Sequence, residues 1–256
     1  MGLGSATVCG IGVDMADVKP AIMKITTGVA GLDKLLFGGI PENSQVLLIG
    51  DVGSGKTLLS FEIIYRNALR GIHAAYITTE ENKETLVSFL TSTFSGFEKI
   101  RELVDTNVIV IDEKKLQYAI KGPENIQTIV ADIIKTASQN QSKIMVIDSF
   151  SLLRALYPDD RSFTRGMNYV TESIRNQGIT CITTFESSAI GGDNRAPGLF
   201  EESMFDGIIK LSRKASEDSV LYKISVVKMR YSEFLSSEYR FSITPSGFEI
   251  REEIPK

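Results

Sequence analysis

The chain has little of what several chemistries require. Its 256 residues include two cysteines, Cys9 and Cys181, and one histidine, His73. Two thiols build no disulfide framework and fit a reducing compartment. A lone histidine just before an apolar strand argues against a histidine metal site and against a Ser/His/Asp triad. Basic runs are missing as well: none exceeds the pair Lys114–Lys115, and the formal net charge is −4. That argues against a dominant non-specific nucleic-acid surface, while leaving room for a local basic channel. No apolar run approaches the roughly 18 residues of a membrane-spanning helix. The first positive charge is Lys19, so no signal peptide is readable. The expectation is a soluble, cytoplasmic protein with no membrane partner. Its 43% hydrophobic content is ample for a buried core.

What is present centres on one stretch, Gly50-Asp51-Val52-Gly53-Ser54-Gly55-Lys56-Thr57. It follows the apolar run Val46–Ile49 and leads into Leu58, Leu59, Phe61, Ile63 and Ile64. Strand, glycine turn and helix in that order are what a phosphate-binding Walker A loop requires. Gly50, Gly53 and Gly55 are expected to allow positive φ and to bring backbone N–H groups close to phosphate oxygens. The helix from Lys56 adds its unpaired N–H groups and the positive end of its dipole. Lys56 is expected to reach the β- and γ-phosphates and the Thr57 hydroxyl to ligate Mg²⁺. The expected cofactors are ATP and Mg²⁺.

The remainder alternates. Apolar strands are expected at Val46–Ile49, Ala74–Thr79, Val108–Ile111, Ile144–Ile147 and Ile179–Thr184, separated by helical patterns. These helices are placed at 56–70, around Leu86 to Phe94, after Gly122-Pro123 through Ala137, and from Phe163 to Ile174. Such alternation predicts an α/β fold with a mainly parallel sheet flanked by helices. Gly207–Leu211, Val220–Met229, Glu238–Ile243 and Phe248–Ile250 then follow without helices between them, so the sheet should end antiparallel. Residues 1–23 read as an N-terminal extension and 24–256 as one domain.

Several side chains carry the chemistry. Asp148 ends an apolar strand in the position of a Walker B carboxylate, a ligand for Mg²⁺ either directly or through water; a helix-cap acid is the alternative. Glu80 and Glu81 end the second strand, expected beside the strand of the phosphate loop. One of them is the candidate to orient and deprotonate the attacking water, with mutual repulsion raising one pKa. A solvated acidic helix start is the alternative. Lys228 and Arg230 alternate on a strand face shared with Val220, Tyr222, Ile224 and Val226, as cations for a γ-phosphate or as partners of Glu233. Thr183 and Thr184 either hydrogen-bond the γ-phosphate or the lytic water, or are satisfied strand-end hydroxyls.

Taken together these residues resemble the RecA superfamily, and within it the single-domain KaiC-like ATPases. The resemblance rests on Thr27-Gly28…Gly31-Leu32-Asp33…Gly38-Gly39-Ile40-Pro41, the phosphate loop, Thr78-Thr79-Glu80-Glu81, Val146-Ile147-Asp148-Ser149, Val227-Lys228-Met229-Arg230 and Phe241-Ser242-Ile243-Thr244…Gly247-Phe248. It implies a RecA-like core and a hexameric ring of identical subunits with ATP between them. It also implies slow, regulatory hydrolysis. Glu80 and Glu81 match the family's catalytic glutamate pair, and Lys228 and Arg230 its fingers to the neighbouring γ-phosphate. After Arg230, where many relatives continue Gly-Thr-Ser-His, this chain has Tyr231-Ser232-Glu233-Phe234. Autophosphorylation is not implied, since Glu201-Glu202-Ser203 stands near the region of the clock protein's Ser-Thr pair. The alternative function is single-stranded nucleic-acid binding, as in recombinase paralogues. Its candidate loops are Arg154 to Gly166, with Arg161 and Arg165, and Gly191 to Gly198, with Arg195.

Overall fold

A computed structural model describes residues 22–114, 126–151, 157–187, 204–215 and 220–255. The N-terminal extension lies outside the described residues except for its last two. Among the described residues nine strands form the main sheet: β3 (Gln45–Gly50), β4 (Ala74–Thr78), β5 (Ile109–Glu113), β6 (Ile144–Asp148), β7 (Thr180–Glu186), β8 (Gly207–Ala215), β9 (Val220–Met229), β10 (Tyr239–Thr244) and β11 (Gly247–Glu253). Their order is β11-β10-β9-β8-β3-β7-β6-β4-β5. Pairings from β8 through β5 are parallel, and those from β8 to β11 antiparallel. The expected α/β architecture is therefore present, antiparallel end included. A small antiparallel pair, β1 (Lys24–Ile25) with β2 (Ile40–Pro41), precedes it and encloses α1 (Ala30–Leu35).

The apolar runs of β3, β4 and β6 are continuous because both faces of the parallel sheet are covered. Val46 and Leu48 look into one core with Leu59, Phe61 and Ile64 of α2 (Lys56–Ala68). Leu47 and Ile49 look into a second core with α5 (Ile126–Gln139) and α6 (Asp160–Arg175). Side chains cap two helices: Asn82 accepts from Thr85 N at 2.7 Å ahead of α3 (Lys83–Thr93), and Asp159 from Ser162 N at 2.8 Å ahead of α6. Segment 95–105, left unassigned by the sequence pattern, forms a short 3-10 turn and α4 (Ile100–Asp105).

Two expectations about placement are corrected. The strand before Glu80 and Glu81 is not beside the phosphate-loop strand: β7 and β6 lie between β3 and β4. Strands later in the chain occupy the middle of the sheet, and sequence order carries no trace of that. Secondly, Lys228 and Arg230 do not continue the face of Ile224 and Val226. The pairing of β8 with β9 shifts between Ile208 and Ile209, so Lys228 pairs with Ile208 while Val226 pairs with Ile209. This bulge leaves Val227 exposed and turns Met229 into the core, inverting the alternation. Arg230 lies just past the strand end.

The C-terminal hairpin is tied to the helix after the phosphate loop. Glu62 on α2, only 2% exposed, accepts the Phe248 N–H at 2.7 Å and pairs with Arg66 at 3.0 Å. Gly247 is required at the turn: φ is +118°, and a Cβ there would fall 2.4 Å from Glu62 Oε2.

Candidate phosphate-binding site

The loop from Gly50 to Thr57 connects the end of β3 to α2, and its shape follows from its glycines. Gly53 and Gly55 have φ of +69° and +92°, as expected. Gly50 does not; its requirement is space, since a Cβ would fall 2.6 Å from Ser54 Oγ and 2.8 Å from Leu211 O. Gly55 is the N-cap of α2, in the left-handed region and with no side-chain hydrogen bond. A side-chain cap would consume the first N–H groups of the helix; here that role falls to a glycine, which leaves the backbone donors for an anion. Asp51, Val52 and Gly53 are exposed, Val52 at 71%. Ser54 Oγ is buried beneath the loop without a hydrogen-bond partner. Leu58 is buried at the first turn of α2.

Lys56 Nζ donates to Gly50 O and Asp51 O, both at 2.9 Å, which holds the ammonium over the loop. Burial lowers its pKa, and the charges of Glu186, Asp148, Asp51 and Glu80, in that order, oppose the shift. Glu186 ends β7 directly opposite Gly50. The sequence reading missed it; its signal was an acid at the end of a strand, the same signal that marked Asp148.

Asp148 is the hub of the site. Its Oδ2 accepts from Thr57 Oγ1 at 2.8 Å and from the Tyr76 hydroxyl at 2.5 Å, and its Oδ1 accepts from Thr184 Oγ1. Tyr76 is fully buried, and its pKa is raised well above the ordinary value by burial and then by Asp148. In the sequence Tyr76 is only one residue of an apolar strand. Of the threonine pair, Thr184 faces Asp148, whereas Thr183 points to the opposite face of the sheet beside Cys181, Sγ to Oγ1 3.8 Å. Period-two alternation forces that split, so the structure brings one of the two to the site. Cys181 itself is buried and its thiol is pushed up to about 12 by that burial, which makes it a core side chain.

Although β4 is not next to β3, it lies against β6, with Thr78 opposite Asp148. Thr79 N donates to Asp148 O at 2.8 Å, and Ser149 Oγ donates to Glu80 Oε1 at 2.7 Å. Glu80 is thereby fixed beside the Walker-type aspartate. Glu81 follows in a turn closed by Thr78, whose Oγ1 accepts from Glu81 N at 3.1 Å. The Glu81 carboxyl is held above its ordinary value, first by partial burial and then by the charges of Asp148 and Glu80. Repulsion between the two glutamates was the expected cause; it is the smallest of the three.

The site suits a triphosphate with Mg²⁺. Backbone donors, the Lys56 ammonium and a glycine cradle that a Cβ would fill match phosphate oxygens. The Thr57 hydroxyl and the Asp148 carboxylate are an all-oxygen pair of the kind a hard cation takes while keeping several waters.

Lys228 and Arg230 are elsewhere. Gly207 pairs with both Met229 and Val46, at the start of β3, whereas the phosphate loop follows its end, where Gly50 pairs with Leu211. Lys228 Nζ donates to Phe205 O at 2.7 Å, and Arg230 faces Asp206 at 3.7 Å, not Glu233. Of the candidate nucleic-acid loops, Arg154 and residues 191–198 lie outside the described residues. Arg161 and Arg165 are exposed on α6 and not in a loop. Among the described residues, no helix is long and apolar enough to cross a membrane.

Comparison with known proteins agrees with this geometry. A family model described as "ATPase: KaiC" matches residues 25–254. A UPF0273 protein of Methanopyrus kandleri is 27% identical over 90% of this chain and 92% of its own length. The circadian clock protein KaiC2 of Synechocystis is 24% identical over 90% of this chain, which spans 40% of that protein. The crystal structure of a KaiC-like protein from Pyrococcus horikoshii OT3 superposes with a TM-score of 0.75 and 24% identity, covering 90% of this chain and all of that one.

Proposed function

The chain belongs to the KaiC ATPase family, and from that premise we propose that it binds ATP with Mg²⁺ and hydrolyses it slowly in a ring of identical copies, its turnover switching assembly or a protein partner. One observation carries the ring. Within a single copy, Lys228 and Arg230 lie at the opposite edge of the sheet from the phosphate loop, separated by the length of β3. From Val46 to Gly50 that is about 13 Å along the strand, farther than an arginine side chain extends. If these cations serve a γ-phosphate, it is the phosphate of another copy. A head-to-tail contact between the two edges closes into a ring when its rotation allows.

Each residue then has a task. Backbone N–H groups from Gly53 to Thr57 and the Lys56 ammonium grip the β- and γ-phosphates. Thr57 and Asp148 would hold Mg²⁺, which supplies neutralisation of charge on the transferred phosphoryl group. Glu81, with its raised pKa, accepts a proton from the attacking water, and Glu80, anchored by Ser149, fixes that water's direction. Arg230 of the next copy neutralises the charge that develops as the bond to the leaving group breaks. Mass in solution and phosphate release, each measured with and without ATP·Mg²⁺, test the reading. Wild type should assemble and release phosphate. Lys56→Ala should lose ATP binding and turnover. A monomer at every nucleotide state, or turnover that survives Lys56→Ala, contradicts it.

A further inference from the structure

The segment ahead of β8 brackets the basic pair. Phe205 O accepts from Lys228 Nζ, and Asp206 O accepts from Arg230 N, each at 2.7 Å. The Asp206 side chain is only 3% exposed, a burial that charged groups reach when they are paired. Its Oδ2 accepts from Gln45 N at 2.9 Å and from Arg175 Nη2 of α6 at 2.8 Å. Its own N–H donates to Gln45 O at 2.8 Å, so its backbone is locked to the start of β3. Two donors already serve Oδ2. The other oxygen, Oδ1, faces Arg230 Nη1 at 3.7 Å. At that distance the guanidinium is oriented by charge without a tight hydrogen bond. Its side chain stays 45% exposed, and its five N–H donors remain available to a second partner.

We propose that Asp206 is a positioning residue for Arg230, aiming the guanidinium out of this edge of the sheet toward the triphosphate held by the next copy. The proposal rests on the composite site described above. Asp206 touches neither nucleotide nor Mg²⁺; it acts through the direction it imposes on Arg230.

Arg175 also pairs with Glu172, and Asp206 is the buried member of the Asp206–Arg175 pair; the test replaces both members together, the change that buried pairs tolerate best. Arg175→Gln, with Asp206 intact, leaves that carboxylate to Gln45 N and Arg230; it is expected to melt at a lower temperature while the folded protein turns over ATP like wild type. Arg175→Gln/Asp206→Asn is expected to bind ATP with unchanged Kd while kcat falls about tenfold to a hundredfold, the scale of a misdirected catalytic contact. Mixing that double variant with Glu80→Gln/Glu81→Gln subunits, which keep Asp206 and Arg230, should recover turnover; a general folding defect would not be rescued this way. Arg230→Ala serves as the reference. If it is slow and rescued while Arg175→Gln/Asp206→Asn matches Arg175→Gln, the positioning role is wrong and the composite site stands. A double variant that is slow but not rescued also overturns the role. If Arg230→Ala itself is as fast as wild type, the composite site fails and this proposal with it.

Discussion

Tyr76→Phe removes one oxygen atom from the most crowded point of the site. The Tyr76 hydroxyl donates to Asp148 Oδ2 at 2.5 Å from a fully buried position. The ring itself packs against Phe61 with centroids 5.1 Å apart, and phenylalanine keeps that contact. A hydrogen bond to a charged group contributes about 1.5–3 kcal/mol. Asp148 retains the hydroxyls of Thr57 and Thr184, so the loss should fall at the lower end. For a chain of this size each kcal/mol moves Tm by about 2–4 °C, giving a drop of about 3–6 °C. The functional effect should be larger. Partners that orient a metal-binding carboxylate typically alter affinity by about tenfold to a hundredfold. The Mg²⁺ concentration for half-maximal ATP turnover should therefore rise by about tenfold or more, with the Kd for ATP without metal little changed. A thermal melt and a Mg²⁺ titration of phosphate release suffice. A lower Tm with an unmoved Mg²⁺ midpoint would show that Tyr76 supports only the core, and the reasoning about Asp148 would fail.

Other perturbations separate the remaining parts. Gly55→Ala places a Cβ 2.9 Å from the Phe248 ring at a φ of +92°, so it should cost about 1–3 kcal/mol in a denaturant melt and weaken ATP binding. Glu62 has a raised pKa, chiefly from burial. The folded state then binds more protons than the unfolded state between the ordinary glutamate value and the raised one, so stability declines as pH rises through that window. Glu62→Gln should flatten this slope of Tm against pH, and a persisting slope would assign it to another group. Glu81 also has a raised pKa, so the acid limb of kcat against pH should lie above the ordinary carboxylate range; Glu81→Gln should abolish turnover while ATP still binds.

Local patterns made much of this protein legible. Gly50 to Thr57, the apolar strands and Asp148 at a strand end are statements about neighbours in the chain, and the structure places them as read. The antiparallel finish was readable because no helix-length segment separates the last strands. What failed depends on neighbours in space. Nothing in residues 74–81 indicates that β6 and β7 are inserted between β4 and β3. The bulge that turns Met229 inward carries no glycine or proline on its own strand; the glycine that makes room for Met229 is Gly207, across on β8, and only the pairing reveals it. Tyr76, Glu186 and Asp206 look like an ordinary core aromatic and two strand-end acids until strand order brings each to its partner. Thr183 and Thr184 were readable as a pair, and only the pleat decides which one meets Asp148.

The central claim is that one copy's triphosphate is completed by another copy's Arg230. Mixing Arg230→Ala with Glu80→Gln/Glu81→Gln subunits tests it most directly, since each is expected to be inactive alone. In randomly mixed rings about a quarter of interfaces join an intact glutamate pair to an intact arginine, so turnover should return to about a quarter of wild type. Mixtures no more active than the separate variants would contradict the account.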